Sequence, residues 1–303
     1  MMKNLKSYKM YESSDDPSEP IRKIFTREQL SWLDKCTFGS WKYNPQTGRI
    51  DVKGDFNCSR QGISDFKGIE FGTVDGEFNC NSNNLTSLEG SPRKVTGGFR
   101  CSWNNLKNLI GGPDEVYFGY WAQDNGLTSL KGSPAVLNCD MFIRDNDLED
   151  LDGSPEVVMG SFICRNNKLK TLKGAPKKVA DEFSCAENDL EDLVGIPSEI
   201  GDDAKFYGNK IKSLRGIDDL KNLNALKSMS SLSENPLPKK IANEIIDLMI
   251  SKGIDYKDAL KEIWTKLDDK IKILLYEDLP GITDQQKEGY KKLKSYLDIR
   301  DLL

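Results

Sequence analysis

Histidine is absent from the 303 residues of this chain. Its absence excludes Ser–His and Cys–His nucleophilic pairs, histidine proton shuttles and histidine metal ligands in one step. The chain also lacks an apolar run of the roughly 18 residues that a membrane span needs, and it lacks a secretory signal. The patterns C-x-x-C, G-x-G-x-x-G and G-x-x-x-x-G-K-[ST] are missing as well. We therefore expect a cytoplasmic protein without a membrane partner, a catalytic site, a cofactor or a metal.

The charge balance is mildly acidic, with 48 Asp and Glu against 43 Lys and Arg and a net charge of −5. A general nucleic-acid binder would usually show a basic face, so this balance argues against a nucleic-acid partner. One acidic segment resembles a calcium-binding loop and contains Asp145, Asp147, Glu149, Asp150 and Asp152. The sixth position of such a loop needs glycine and here holds Asp150, which argues against calcium binding.

A 21-residue pattern repeats through the middle of the chain. Its register mark is an asparagine that recurs every 21 residues, at Asn83, Asn104, Asn125, Asn146, Asn167, Asn188 and Asn209. A degenerate first copy has Gln61, which lies 22 residues before Asn83. The shared pattern is F-x-C-x-x-N-x-L-x-x-L-x-G-x-P-x-x-V. Eight copies indicate coils that bury their apolar residues only by stacking on one another.

Each conserved letter of the pattern predicts a local structure. In F-x-C the two apolar residues alternate with a polar one, which predicts a short strand with both apolar side chains inside. Stacked asparagines predict a ladder of amides that bind backbone groups. Glycine suits a positive φ and proline an extended segment, so we expect no helix at the back of a coil.

Five of the seven cysteines occupy one inward strand position: Cys58, Cys80, Cys101, Cys164 and Cys185. Free cysteine behaves as a small buried hydrophobe, which accounts for this column without redox chemistry. Stacked neighbours about 5 Å apart are close enough to oxidise, but a cytosolic chain gives no reason to expect a disulfide.

The pattern F-x-C-x-x-N-x-L-x-x-L resembles the core of leucine-rich repeats, with Phe and Cys at the strand positions. The short, proline-containing second half of each repeat is similar to the helix-free repeats of secreted bacterial effectors. The motif C-x-x-N-x-L-T-S-L-x-G-x-P resembles repeat proteins from tailed-phage genomes. The segment that begins FTREQLSWLDKCTFGSW resembles their amino-terminal cap. The resemblance covers Phe25 to about residue 220 and implies a binding scaffold.

Two observations bear on how far these resemblances extend. Val95 precedes Phe99 by four residues, where the leucines of the usual repeat are three apart, so we expect a bulge or an extra residue before each strand. Some bacterial effectors carry a ubiquitin-ligase domain with a cysteine nucleophile after the repeats. The last cysteine here is Cys185, inside the repeats, which argues against that activity.

These observations predict a leucine-rich-repeat solenoid with a parallel concave β-sheet, an irregular helix-free convex side, an N-terminal cap and a C-terminal α-helical module. We expect a flexible arm over residues 1–25, the cap over 26–55, eight repeats over 56–218 and the helical module over 219–303. The capping-box pattern Thr26-Arg27-Glu28-Gln29 predicts a short helix from Thr26 to about Lys35. A strand pair is expected from Trp41 to Val52.

The candidate site is the set of outward strand residues on the predicted concave sheet. Trp121, Phe142 and Ile163 fall in one outward column and should form an apolar stripe, because neighbouring strands lie about 4.8 Å apart. The full set of candidate partner-binding residues is Arg100, Trp103, Trp121, Phe142, Arg144, Ile163, Arg165 and Tyr207. An apolar stripe edged by arginine matches the composition of a binding hot spot.

Three alternatives for what covers that stripe remain open at this stage: a foreign protein, the chain's own residues 1–25, or a second copy of the chain.

The preferred function is a non-catalytic protein–protein interaction scaffold that uses repeats 3–6, in the form of a phage protein acting on a host protein in the host cytoplasm. The alternative is a structural component of a virion or another large assembly, attached through the arm or the helical module. Asp124 and Asp145 beside the arginines argue against nucleic acid.

Overall fold

The computed structural model describes residues 24–228 and 231–296. Residues 1–23, which make up nearly all of the predicted arm, lie outside the described residues. The backbone is a parallel-strand β-solenoid of about 7 turns with a helical C-terminal region, which confirms the solenoid prediction. The chain divides into two compact units, Met1–Ile143 and Arg144–Leu303, which are described one after the other.

The first unit begins with a helical cap. Helix α1 (Arg27–Cys36) starts with the predicted capping box, in which Thr26 Oγ1 accepts from the Gln29 amide at 3.2 Å and Gln29 Oε1 accepts from the Thr26 amide at 2.8 Å. Trp32 lies on the buried face of α1 and donates from Nε1 to Gln61 Oε1 at 2.9 Å. This bond explains the degenerate first copy, because the longer glutamine side chain reaches the cap.

An antiparallel hairpin follows α1, with strands β1 (Thr37–Asn44) and β2 (Arg49–Asn57) paired along their full length. The hairpin is longer than the predicted strand pair at both ends. Strand β2 also pairs in parallel with the first two strands of the coils, β3 (Phe71–Asp75) and β4 (Phe78–Asn79). The hairpin thereby covers the first coil and supplies the cap that a stack of coils needs.

The remaining strands of the first unit form two parallel ladders. The first ladder contains β2, β4, β6 (Gly98–Arg100), β8 (Gly119–Trp121) and β10 (Met141–Phe142). The second ladder contains β3, β5 (Lys94–Val95) and β7 (Glu115–Val116), and β9 (Val136–Leu137) occupies the equivalent place in the next coil. The F-x-C pairs are buried as predicted, with Phe78, Phe99 and Tyr120 all fully inaccessible to solvent.

The second ladder shows that the extra residue, and not the bulge, is the correct one of the two expected alternatives. Val95 lies in β5, and only Thr96 and Gly97 separate it from β6. Val95 pairs with Val116 in register, while Phe99 pairs with Tyr120 in the other ladder. The additional residue is therefore taken up by a two-residue bend between two strands of one coil, not by a bulge within a single strand.

The second unit repeats this arrangement. Its first ladder contains β12 (Phe162–Ile163), β14 (Phe183–Ser184) and β16 (Ala204–Lys205). Its second ladder contains β11 (Val157–Val158), β13 (Lys178–Val179) and β15 (Glu199–Ile200). Every residue from 37 to 216 is described, and none of them is helical, as the glycine and proline positions predict.

The predicted asparagine ladder is present in both units. Asn104 donates from Nδ2 to the carbonyl oxygens of Cys80 and Cys101, each at 3.1 Å, and its Oδ1 accepts from the Leu85 amide at 3.0 Å. In the second unit Asn188 makes the same bonds to Cys164 and Cys185 at 3.3 Å and 3.1 Å. Each amide thus satisfies backbone groups of its own coil and of the coil before it.

One cysteine pair departs from the expectation of free thiols. A disulfide joins Cys164 and Cys185, whose Cα atoms are 5.1 Å apart. Stacking in register places these cysteines on neighbouring coils at a separation that suits a disulfide. The cysteines of the first unit, such as Cys80 and Cys101, are free and buried.

The second unit contains a coil that the sequence analysis missed. After two short 3₁₀ helices (Ile217–Asp219 and Leu223–Leu226) the chain returns to the ladder. Asn235 donates to the Phe206 carbonyl at 2.9 Å and accepts from the Ile211 amide at 3.0 Å, as the repeat asparagines do. The repeat pattern therefore continues past Leu214 into the segment that we assigned to the helical module.

Helices follow this last coil: α2 (Lys239–Lys252), α3 (Tyr256–Ile263), a 3₁₀ turn (Trp264–Lys266), α4 (Asp269–Leu275) and α5 (Asp284–Tyr296). The apolar face of α2 is buried at Ile245 and Met249. Tyr256 connects the helices to the coils, because its hydroxyl accepts from the Leu214 amide at 3.5 Å and donates to the buried Asp278 carboxylate at 2.8 Å. Arg215, in the coil, pairs with the same carboxylate at 3.4 Å.

Candidate functional site

The best-defined surface feature is the indole of Trp121, on the outward face of β8. Two glycines make room for its six-membered ring. A Cβ atom added to Gly119 would lie 2.3 Å from an atom of that ring, and one added to Gly98 would lie 2.6 Å away. The ring therefore lies directly against the backbone of two neighbouring strands. We call this recess the Trp121 slot.

The two strands beside β8 each supply a side chain that contacts the Trp121 ring. Arg100, on β6, places its guanidinium 3.8 Å from the indole centroid, a cation–π contact. Phe142, on β10, stacks nearly parallel to the indole, with centroids 5.6 Å apart and an interplanar angle of 9°. β6 and β10 flank β8 on opposite sides, so the two contacts come from the two strands next to Trp121.

Glu77 fixes the arginine in this arrangement. Its carboxylate accepts from Arg100 Nε at 2.7 Å, with both side chains about one-third exposed. The pair fixes the direction of the guanidinium over Trp121, because an Nε–carboxylate hydrogen bond constrains the plane of the arginine head. Arg100, Trp121 and Phe142 are thus held before any ligand arrives, and we call them the aromatic stripe.

Further aromatic residues are exposed close to the stripe along the chain. Tyr117 and Phe118 form the two-residue bend immediately before β8, and Phe118 is 75% exposed. The Tyr117 ring is held by Lys94, whose Nζ lies 5.2 Å from its centroid, and its hydroxyl donates to Glu115 at 2.9 Å. Trp103 is half-exposed and lies past the end of β6 in a left-handed turn position, with φ of 55°.

Two buried oxygen atoms in the neighbouring outward column have no hydrogen-bond partner among the described residues. They are Ser102 Oγ and Gln123 Oε1. Buried polar atoms are satisfied in the great majority of cases, so these two oxygens are exceptions to that rule. Both residues lie two positions beyond members of the aromatic stripe on the same coils, Arg100 and Trp121.

The other predicted site residues belong to the second unit. Arg144 pairs with the adjacent Asp145, which also accepts from Asn166 Nδ2 at 2.6 Å. Ile163, Arg165 and Tyr207 are all partly exposed on outward positions. Among the described residues of this unit, Arg144, Ile163, Arg165 and Tyr207 form no ring stack or ion pair with one another.

Sequence reasoning missed Gly98, Gly119 and Glu77 as contributors to the site. The signal was present in the position immediately before the buried Phe, Tyr or equivalent residue that begins each F-x-C motif. That position holds Glu77, Asp140, Ser161, Glu182 and Asp203 in other coils, and it holds glycine in the coils of β6 and β8. The polar side chain is therefore lost only where the large indole of Trp121 needs the space.

No group of three or more Asp, Glu or Cys side chains within residues 24–228 and 231–296 could hold a metal ion. Burial raises the pKa of the Cys80 and Cys101 thiols, so they are poor nucleophiles at neutral pH. No helix in the described part of the chain is long and apolar enough to cross a membrane.

A scan against protein-family models and a search of curated proteins both returned no match.

The geometry of the Trp121 slot leads to a first prediction. Gly119→Ala should displace the indole without removing any aromatic group, and the tight contact should lower the free energy of unfolding by about 1–3 kcal/mol. Fluorine NMR of protein labelled with 5-fluorotryptophan should show the Trp121 resonance shifted. Gly289→Ala, on α5, is the matched control because a Cβ there meets nothing within 4 Å. An unchanged Trp121 resonance in Gly119→Ala would contradict the slot geometry.

Proposed function

We propose that this protein is a non-catalytic protein–protein interaction scaffold that binds a partner protein through the aromatic stripe. The observation that carries the proposal is the fixed position of Trp121 between Arg100 and Phe142, over two glycines. A preorganised tryptophan beside arginine is the composition of interface hot spots, because little side-chain freedom is lost when the partner binds. The indole is partly exposed on the outward face of the first ladder.

The contacts of Trp121 support a protein partner over a nucleic acid or a sugar. Those ligands bind tryptophan by stacking on an open ring face. The Arg100 guanidinium lies 3.8 Å from the indole centroid and the Phe142 ring stacks on the indole, so these side chains compete with a stacking ligand for the ring.

The proposal has finer parts that rest on the sequence. The repeats are of the leucine-rich type, and the surface extends along outward positions of repeats 3–6 to Trp103, Arg144, Ile163, Arg165 and Tyr207. The resemblance to repeat proteins of tailed phages favours a host protein as the partner, bound in the host cytoplasm. Inhibition by occlusion would need no chemistry from the scaffold itself.

An affinity pull-down tests the proposal. The baits are the wild type, the double variant Trp121→Ala/Phe142→Ala, and Ile110→Ala/Val136→Ala as a matched control. Ile110 and Val136 are exposed apolar residues of the same unit, at 51% and 50%, and they lie outside the first ladder. We expect one protein to be retained by the wild type and the control, and lost from the stripe variant by about thirtyfold or more.

Retention of the same proteins by all three baits would overturn the proposal. So would capture of nucleic acid that nuclease treatment removes together with the bound proteins. Circular dichroism of each bait establishes that the variants are folded, so that a lost band reports on the surface alone.

A further inference from the structure

The cap hairpin of the first unit has one edge that no other described residue pairs with. Strand β1 is eight residues long and, among residues 24–228 and 231–296, pairs only with β2. The Thr37 amide caps α1, and the Asn44 carbonyl closes the hairpin turn. Every other backbone hydrogen bond of β1 in the described structure is made to β2. Alternate N–H and C=O groups of β1 therefore point away from the sheet, and no described strand receives them.

The sequence of this edge does little to block pairing. Natural proteins protect edge strands with proline, several charges, short length or a covering element. β1 reads TFGSWKYN, with no proline and one charge, at Lys42. Phe38, Ser40 and Lys42 share the solvent-facing side of the strand, and Phe38 is 64% exposed there. A long, apolar and unpaired edge of this kind is a site for strand addition.

Symmetry limits which strand can complete this edge. If a second copy pairs antiparallel about a two-fold axis perpendicular to the sheet, each side chain stays on its own face, so even-numbered residues oppose even-numbered residues. With Ser40 on the axis, Ser40 opposes Ser40 of the second copy, and Phe38 opposes Lys42. This register covers the exposed Phe38 ring with a cation, and it keeps the two lysines apart.

The neighbouring strand strengthens the same register. Asp55 lies across from Phe38 in the β1–β2 ladder, and Asp51 lies across from Lys42. In the dimer each Lys42 would therefore lie between Asp51 of its own chain and Phe38 of the second copy, with Asp55 of the second copy on the strand beyond that Phe38. Gly39 would oppose Trp41, so that an aromatic ring covers the glycine.

We propose that β1 is a homodimerisation edge, and that two copies of this chain join their cap hairpins antiparallel across a two-fold axis at Ser40. The dimer extends the sheet of the first unit through β2, β1 and the second β1. This edge is distinct from the aromatic stripe, so the proposal is independent of the proposed function.

The first test is the oligomeric state of the full chain by light scattering across a range of concentrations. We expect a concentration-dependent dimer for the wild type. Ser40→Lys would place two new lysines face to face, beside Lys53 of each chain, and should weaken dimerisation by about tenfold or more. Asn105→Lys, at an exposed position away from β1, should leave the dimer unchanged. A wild type that is monomeric at every concentration would overturn the proposal.

Cysteine cross-linking tests the register directly. Ser40→Cys should form a covalent dimer under mild oxidation, because residues on the axis face themselves. Phe38→Cys and Lys42→Cys should each form no covalent dimer alone and should cross-link when mixed. A dimer that Ser40→Cys does not trap would refute pairing at β1 and indicate another interface. Efficient cross-linking of Phe38→Cys with itself would refute the Ser40 axis.

Discussion

Replacing Asn104 by aspartate should lower the free energy of unfolding by on the order of 4 kcal/mol, because a buried carboxylate would face three backbone carbonyls without a donor. The native amide donates to Cys80, Cys101 and Ser102 at 3.1, 3.1 and 3.3 Å. The loss should shrink at about pH 4, since a protonated carboxyl regains one donor. Urea unfolding at two pH values measures both effects.

Asn105→Asp is the matched control for this prediction. Asn105 is the next residue, it is exposed, and its backbone amide rather than its side chain contacts the neighbouring coil at Leu85. The same chemical change there should cost less than about 0.5 kcal/mol. Equal losses at the two positions would mean that the amide ladder contributes nothing beyond the local effect of a charge.

Gly132→Ala is expected to have the second largest effect. Gly132 has φ of +97°, and an added Cβ would lie 2.3 Å from backbone atoms of Leu109 and Ile110 in the preceding coil. The coils cannot separate locally, because the Leu109 amide donates to the Lys131 carbonyl at 2.8 Å. Backbone strain and overpacking together should reduce stability by about 3 kcal/mol.

Gly253→Ala separates the two causes of that loss. Gly253 ends α2 with φ of +63°, and nothing lies within 4 Å of a Cβ built there. The substitution should therefore carry only the conformational cost, about 1 kcal/mol. Thermal or urea unfolding of both variants makes the comparison, and a Gly132→Ala loss no larger than that of Gly253→Ala would show that the coils are not closely packed at this point.

The core of the solenoid was predictable because each coil solves the same packing problem. Phe99, Cys101, Asn104 and Leu106 recur at one spacing, and their burial follows from the two-residue period of a strand and the need to stack. The parallel ladder, the amide ladder and the helix-free back all follow from that repeated spacing. A single period therefore determines most of the backbone between residues 56 and 216.

Features that break the period were not predictable in the same way. The coil at Asn235 follows two 3₁₀ helices, so its asparagine comes 26 residues after Asn209 instead of 21. The second ladder was hidden because a two-residue strand such as β5 carries one inward valine, too short a pattern to show alternation. The position of β1 at the edge of the sheet follows from the order of the described strands, and the sequence pattern does not show that order.

The aromatic stripe was half predictable. The outward register of Trp121 and Phe142 follows from the strand period, and the structure stacks the two rings. The role of Gly98 and Gly119 was not evident from the sequence, because a glycine at such a position usually indicates a turn. Only the structure shows that a Cβ atom there would meet the Trp121 ring. Sequence periodicity predicts on which face of the sheet a side chain lies. How that side chain packs depends on residues of the neighbouring coil, which the periodicity does not specify.

The most direct measurement is the affinity of the captured partner for the purified scaffold by isothermal titration calorimetry, with wild type, Trp121→Ala and Gly119→Ala compared. The account predicts a loss of about thirtyfold or more for Trp121→Ala. It also predicts weaker binding by Gly119→Ala, in which every aromatic group is kept and only the position of the indole changes. Equal affinity of all three proteins would contradict the claim that the preorganised Trp121 surface binds the partner.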